Sequence, residues 1–347
     1  MKKIFVCLIL LCAGAAYSKT ITDMYGNKVD VPERITKIFS LTRSLTPMLY
    51  TLAPDLLAAV NTQIGDPLPG GYRNDSSSVG FYSKRYLSLP AIGGSSATGT
   101  ILNQEVLLAV KPDVIFSWGG DSGIDKKTEA AIKRLGFPIV KVDISGMAHY
   151  ADTFLFLGKL LGREERGKEL AAYANKAVAN VKAAVAKVPK NKRLVVYYAR
   201  GGNGLNSACV DSWHAELIPL AGGINPVRCL TGHYTGMELI NIEQILLMQP
   251  DVIIALQPSV AKAIRGSSVW NNVNAVKNNR IYTIPGVPMN WFDGPPSFVG
   301  ILGLQWLAGK LYPDYYHIDI AAETGRFMKL YYMKDLTQKE IKDILRE

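Results

Sequence analysis

Arginine and aromatic side chains recur where short apolar runs give way to turn residues, and in that pattern they form a surface for binding an anion. Arg43 stands in Thr42-Arg43-Ser44, directly after the run Ile38-Phe-Ser-Leu41. Arg200 opens Arg200-Gly-Gly-Asn-Gly204, after Leu194-Val-Val-Tyr-Tyr198. Trp118 heads a Trp-Gly-Gly turn after Val114-Ile-Phe-Ser117, and Trp291 lies in Met289-Asn-Trp-Phe-Asp293-Gly-Pro-Pro after Ile281-Tyr-Thr-Ile284. Arg85 and Tyr86, in Tyr82-Ser-Lys-Arg85-Tyr86, and the pair His233-Tyr234 supply rim candidates. A guanidinium fork holds carboxylate, catecholate or other oxyanion oxygens by paired hydrogen bonds, while Trp and Tyr faces cover apolar ligand surface. The ligand-binding set is therefore Arg43, Arg85, Tyr86, Trp118, Tyr198, Arg200, His233 and Trp291.

Catalytic chemistry has no comparable support, and a secreted enzyme using the same cleft is the lesser alternative. The chain contains no nucleophile elbow, no His-Glu-x-x-His, no Cys-x-x-Cys and no Walker loop,. Gly201 to Gly204 lacks the Lys-Ser/Thr ending of a phosphate loop and reads as a plain turn,. Four histidines, His149, His214, His233 and His317, stand at no metal-pair spacing,. A bare metal site is not expected, although His233 could ligate a metal already held by a chelator. His149 is placed to cap a helix that starts near Tyr150.

Alternating strands and helices must position these residues. Ile35 to Leu41, Val114 to Ser117 and Ile139 to Val142 read as strands, with helices over Pro47–Leu57 and Asp125–Leu135,. The same grammar returns later: strands at Leu194–Tyr198, Val252–Leu256 and Ile281–Ile284, helices over Trp213–Leu220 and Val269–Val276. Such alternation predicts a parallel sheet with helices on both faces. The two halves repeat one unit. Asn103-Gln-Glu-Val-Leu-Leu-Ala-Val-Lys-Pro-Asp-Val-Ile115 aligns with Asn241-Ile-Glu-Gln-Ile-Leu-Leu-Met-Gln-Pro-Asp-Val-Ile253. Both predict an Asn-capped helix with an acid in its first turn, ended by Pro-Asp and followed by a buried strand.

Between the halves runs Arg163 to Lys187, rich in alanine and closed by Pro189. Leu170, Tyr173, Ala174, Ala177, Val178, Val181 and Val185 keep helical spacing, and only Gly167 argues against continuity,. Such a helix spans about 35 to 40 Å. The expected fold is α/β, two similar Rossmann-like lobes joined by one long rigid helix, with a ligand cleft between them flanked by Trp118 and Trp291. The divisions are a signal peptide over 1–18, an N-terminal lobe over 19–149, a helical linker over 150–189, a C-terminal lobe over 190–320 and a helical tail over 321–347. Thr337-Gln-Lys-Glu340 opens the tail's last helix as a capping box,.

Bulk properties set the surroundings. The 347 residues are 48% hydrophobic and 20% charged, a globular balance,. The net charge of +10 falls by two when Lys2 and Lys3 leave with the leader, and it steers anions toward the protein,. No basic block of five or more exists, so nucleic acid is not an expected partner,. Lys2 and Lys3 precede an apolar run from Ile4 to Ala16, and Ala16-Tyr-Ser18 suits cleavage after Ser18,. Cys12 offers lipid attachment as the alternative, disfavoured by the bulky Leu11 before it. The mature chain keeps Cys209 and Cys229, which an oxidising compartment would join in a disulfide worth roughly 3 kcal/mol; two free thiols are the other reading,.

Together these residues resemble the substrate-binding proteins of bacterial ABC importers, of the class with a rigid interdomain helix that serves ferric siderophores, haem, cobalamin and related metal compounds. The resemblance covers nearly the whole mature chain. It rests on Thr22-Asp-Met-Tyr-Gly-Asn-Lys-Val-Asp-Val-Pro32 with Arg34-Ile35, on both Glu-(apolar run)-Pro-Asp-Val-Ile repeats, and on the central helix. It implies that Glu105 and Glu243 dock onto arginines of the inner-membrane permease, and that the protein is a periplasmic monomer and not an enzyme. It implies as ligand a chelated metal, foremost a ferric siderophore or iron complex, with cobalamin, a nickel chelate, molybdate or tungstate as alternatives; no resident cofactor is implied. Trp118-Gly-Gly is similar to a loop that contacts ligand in cobalamin-binding members, and related proteins set Trp-Phe, here Trp291-Phe292, beside ligand. Two stretches depart from the pattern: Thr46-Pro47 stands where Thr-Glu is frequent, and the loop from Gly65 to Tyr86 is longer and more polar.

Overall fold

The computed structural model describes residues 18–66, 76–94, 100–120, 123–229, 236–294 and 296–346. Residues 1–17 of the expected leader, Cys12 included, lie outside the described residues, and so do His233 and Tyr234. Among the described residues no helix is long and apolar enough to cross a membrane.

The chain starts as a hairpin, β1 (Ser18–Thr22) paired antiparallel with β2 (Lys28–Pro32). Asp23 holds its turn by accepting the backbone N–H groups of Tyr25 and Asn27, each at 2.9 Å. The first lobe follows: β3 (Ile38–Ser40), α1 (Leu45–Leu52), α2 (Lys84–Leu87), α3 (Gln104–Val110), β4 (Val114–Trp118), α4 (Lys126–Arg134) and β5 (Ile139–Val142). β3, β4 and β5 lie parallel in that order. They are almost wholly buried; strands covered on both faces read as unbroken apolar runs. The first helix ends at Leu52, not Leu57, because the chain turns back to lay Leu57 against Ile38 as a further parallel neighbour.

Two helices come next, α5 (Tyr150–Leu160) and α6 (Glu164–Val185). The second lobe is β6 (Val196–Ala199), β7 (Asn206–Ala208), α7 (Leu217–Leu220), β8 (Met237–Leu239), α8 (Ile242–Met248), β9 (Val252–Ala255), α9 (Pro258–Arg265), α10 (Asn274–Lys277) and β10 (Ile281–Thr283). Its parallel sheet runs β6, β9, β10, and β7 pairs antiparallel with β8. Cys209 and Cys229 are joined by a disulfide, with Cα atoms 5.5 Å apart. The chain ends in α11 (Gly300–Leu311), α12 (Ile320–Tyr332) and α13 (Gln338–Leu345), the last opened by the Thr337–Glu340 capping box.

The sequence repeat is a structural repeat. Val114 pairs with Ile38 in one lobe and Val252 with Val196 in the other. Asn103 and Asn241 cap α3 and α8 by accepting the N–H groups of Val106 and Gln244. The Pro-Asp that ends each unit has a duty that spacing did not reveal. Asp113 accepts the backbone N–H groups of Thr36 and Lys37 at 2.6 and 2.9 Å, and Asp251 accepts that of Val195 at 2.8 Å. Each acid thereby ties down the entry of its lobe's first strand.

The long helix is not a bare strut. α6 turns Leu170, Ala174, Ala177 and Val181 inward and packs against both α5 and α11, while α12 packs against α1 and α11. Phe327, Met328 and Tyr331 of α12 are fully buried. The tail drawn over 321–347 therefore begins with a core helix shared by both lobes, and only α13 lies near the surface. Gly167, the one residue that argued against the helix, sits where α6 crosses α5. A Cβ there would stand 2.6 Å from the Phe154 carbonyl oxygen and 3.2 Å from the Gly158 Cα. Gly167→Ala would improve helix propensity by about 1 kcal/mol. The lost contact outweighs that gain, and urea unfolding should show the variant less stable by about 1 to 3 kcal/mol; equal or greater stability would refute the close crossing.

Candidate functional site

A cavity of about 220 Å³ lies between the lobes, at the carboxyl ends of β3, β9 and β10. Open parallel sheets place ligands at that end because the loops there converge and leave backbone groups unpaired. The first lobe contributes Arg43, Thr46, Asn61 and Ser78 with the rings of Tyr82 and Tyr86. The second contributes Gln257, Met289, Asn290 and Asp293, and Arg346 arrives from just past α13.

Arg43 is half-buried, and burial pulls its guanidinium below the usual arginine range. Among the described residues it has no ion pair and no hydrogen bond. Its neighbours are settled. Asn61 is buried and donates to the Ser40 carbonyl at 2.7 Å, and Thr46 donates to its side-chain oxygen at 2.5 Å. Tyr82 and Tyr86 stack with centroids 4.4 Å apart at 19°.

The opposite wall carries a charge that is fully compensated. Asp293 is wholly buried and meets Arg200 Nη1 at 3.1 Å, His214 Nδ1 at 2.6 Å and the Tyr198 hydroxyl at 3.2 Å. Burial lowers Arg200, and Asp293 opposes that shift; burial first, then Asp293, holds the Tyr198 phenol well above its usual range as a donor. Among the described residues, the cavity thus meets an uncompensated cation in Arg43 and a paired acid in Asp293. A ligand carrying negative charge is what that arrangement favours.

Among the described residues, contacts bridge the lobes beside the cavity and along the seam. Ser78 donates to the Pro288 carbonyl at 2.8 Å. Trp118 and Trp213 meet with ring centroids 5.2 Å apart. The Met147 N–H donates to both Glu216 carboxylate oxygens, at 2.9 and 3.1 Å. Gly146 makes room for this last contact, since a Cβ there would lie 2.7 Å from Glu216 Oε1.

The sequence candidates separate accordingly. Arg43 and Tyr86 line the cavity. Trp118, Tyr198 and Arg200 sit beside it, in the seam and behind Asp293. Arg85 turns away and donates to the carbonyls of Pro54 and Leu57, each at 2.7 Å, bracing its own lobe. Trp291 is fully buried and donates to the Val287 carbonyl at 2.9 Å. The expected groove flanked by Trp118 and Trp291 is therefore corrected: Arg43 and the Tyr82–Tyr86 stack face Asn290 and Asp293. In the Met289–Asp293 loop the aromatic turns inward to the core and its polar neighbours face the cavity. His149 occupies the N-cap position of α5, but its side chain makes no cap hydrogen bond and instead pairs with Asp143 at 3.1 Å. Glu105 and Glu243 stand exposed in the first turns of α3 and α8, with no partner among the described residues.

Residues 88–288 match the periplasmic binding protein family. The chain belongs to it. A solved ABC transporter solute binding protein from Sulfurospirillum deleyianum is 33% identical, covers 94% of this chain and 99% of its own, and superposes with a TM-score of 0.85. The ABC transporter substrate-binding lipoprotein YvrC of Bacillus subtilis is 22% identical over 85% of this chain and 86% of its own length. MolA of Haemophilus influenzae, solved bound to molybdate, is 19% identical, covers 92% and 99% of the two chains, and has a TM-score of 0.73. Proteins of this family bind solutes outside the cytoplasm and work with a membrane permease.

The half-buried Glu216 gives a test of the seam. Burial is the larger influence and raises its carboxyl above the ordinary range, against the pull of Met147 N–H and His149. A raised folded value means that its stabilising contribution is complete below the unfolded value, about 4.3, and is lost as pH rises through the folded value. Glu216→Gln keeps an acceptor and removes the charge. Its Tm relative to the native protein should therefore climb as pH is raised from about 4 to 7; a difference that stays flat would show that Glu216 is not held as described.

Proposed function

We propose that this protein is the extracytoplasmic substrate-binding component of an ABC importer, carrying a compact anionic ligand to an inner-membrane permease. The observation that carries this reading is Arg43, a half-buried guanidinium without a partner among the described residues, at the edge of an inter-lobe cavity. Opposite it, Asp293 is already paired with Arg200 and His214 and so does not compete for the ligand's place beside Arg43.

The cavity volume narrows the ligand. At about 220 Å³ it falls below the usual range for drug-sized ligands,. An oxyanion or a small anionic metal chelate, such as an iron complex or a nickel chelate, fits that space. MolA's molybdate is an anion of this size class. A large ferric siderophore or cobalamin would need the Ser78–Pro288, Trp118–Trp213 and Met147–Glu216 contacts to part. Docking through Glu105 and Glu243 belongs to the same reading, since both are exposed and unpaired among the described residues.

Tryptophan fluorescence titration against ferric citrate, ferric catecholate, ferric hydroxamate, cobalamin, nickel-histidine and molybdate tests the ligand class. One of the compact anions should bind at submicromolar concentration, and Arg43→Met should weaken it about ten- to a hundredfold. Binding by none of the six counts against the reading, and unchanged affinity in the variant removes Arg43 from the site. Glu105→Ala combined with Glu243→Ala should leave affinity intact and abolish uptake; lost affinity would place these acids in the cleft instead.

A further inference from the structure

Each lobe carries an exposed aliphatic side chain at the same register of the internal repeat. Ile101 precedes the Asn103 cap by two residues and is 89% exposed; Leu239 precedes the Asn241 cap by two and is 79% exposed. One exposed aliphatic is ordinary on a protein surface. Two at matched positions, each followed after four residues by an exposed glutamate, make a duplicated motif: apolar knob, cap, acid. Leu247 is also exposed but lies at the far end of α8 without a counterpart in α3, and it stands outside the pattern.

Both knobs lie at the cleft end of their lobes. α3 leads into β4, and α8 into β9, through three residues, so each helix runs antiparallel to its strand. The start of each helix is therefore beside the carboxyl end of its sheet, where the cavity opens. Their backbones are fixed: Asn103 N–H donates to the Ile92 carbonyl and Ile240 N–H to that of Leu205, each at 2.8 Å. Little freedom would be lost when a partner covers them.

We infer that Ile101 and Leu239 are paired apolar anchors that seat in the importer's permease, one per lobe; the inference rests on the function proposed above and goes beyond the glutamate contacts. The partner must offer two equivalent sockets, each an apolar recess beside positive charge, on either side of the point where the ligand leaves the cleft. A permease that receives cargo from that opening faces both knobs at once. The anchors would supply apolar burial, and the acids orientation.

The full mature chain carrying benzoylphenylalanine at position 101 or 239 is expressed in its own cells, irradiated, and its adducts sequenced by mass spectrometry. Both positions should cross-link to the polytopic subunit of an ABC importer, while the same label at Lys133, on α4, should not. In parallel, Ile101→Ser with Leu239→Ser should keep Tm and molybdate or ferric citrate affinity at the native level yet lower uptake about tenfold. Adducts only to a second copy of this chain, only to lipid, or to no protein overturn the inference, as does native uptake by the double variant. Failure of the native protein to bind any small anion is a separate result, and it counts against the proposed function.

Discussion

One continuous apolar core joins the two lobes, and the rest of the structure depends on it. It runs from Ile38 and Phe116 in the first lobe through Phe154, Leu170 and Val181 to Val196, Leu302 and Tyr331. α5, α6, α11 and α12 carry that core beneath both sheets, so the strand ends face each other at a separation set by close packing. The Gly158–Gly167 crossing lets α5 and α6 approach closely enough to belong to it. The contacts that bridge the lobes stand above this shared base.

Upon that base the cleft divides its charges unequally. Asp293, out of water, is surrounded by Arg200, His214 and Tyr198, which compensate it and fix the shape of one wall. Arg43 on the other wall has no such company among the described residues. A buried ion pair adds little net stability once desolvation is counted, but an unpaired half-buried cation costs until something neutralises it. The first arrangement reads as architecture and the second as vacancy for charge.

Much of this architecture was legible in the sequence because it is periodic or repeated. The Asn-to-Ile repeat announced two lobes of one build, and helical spacing announced α6. What spacing could not supply was direction within irregular loops. In Met289 to Asp293 the tryptophan turns into the core and the acid and amide face the cavity, and the loop packs against Gly303 of α11, twelve residues on, where a side chain would meet the Trp291 carbonyl. Arg85 looked equally available, yet two backbone carbonyls claim it. The burial of α12 and the arrival of Arg346 at the cavity follow from tertiary packing alone and leave no local trace.

The indoles of Trp118 and Trp213, one from each lobe and 5.2 Å apart at 32°, have a consequence of their own. Chromophores held that close at a fixed skew couple their electronic transitions, so the near-ultraviolet circular dichroism of the protein carries a signature of lobe apposition. The molecule contains its own optical gauge of closure, readable without a label.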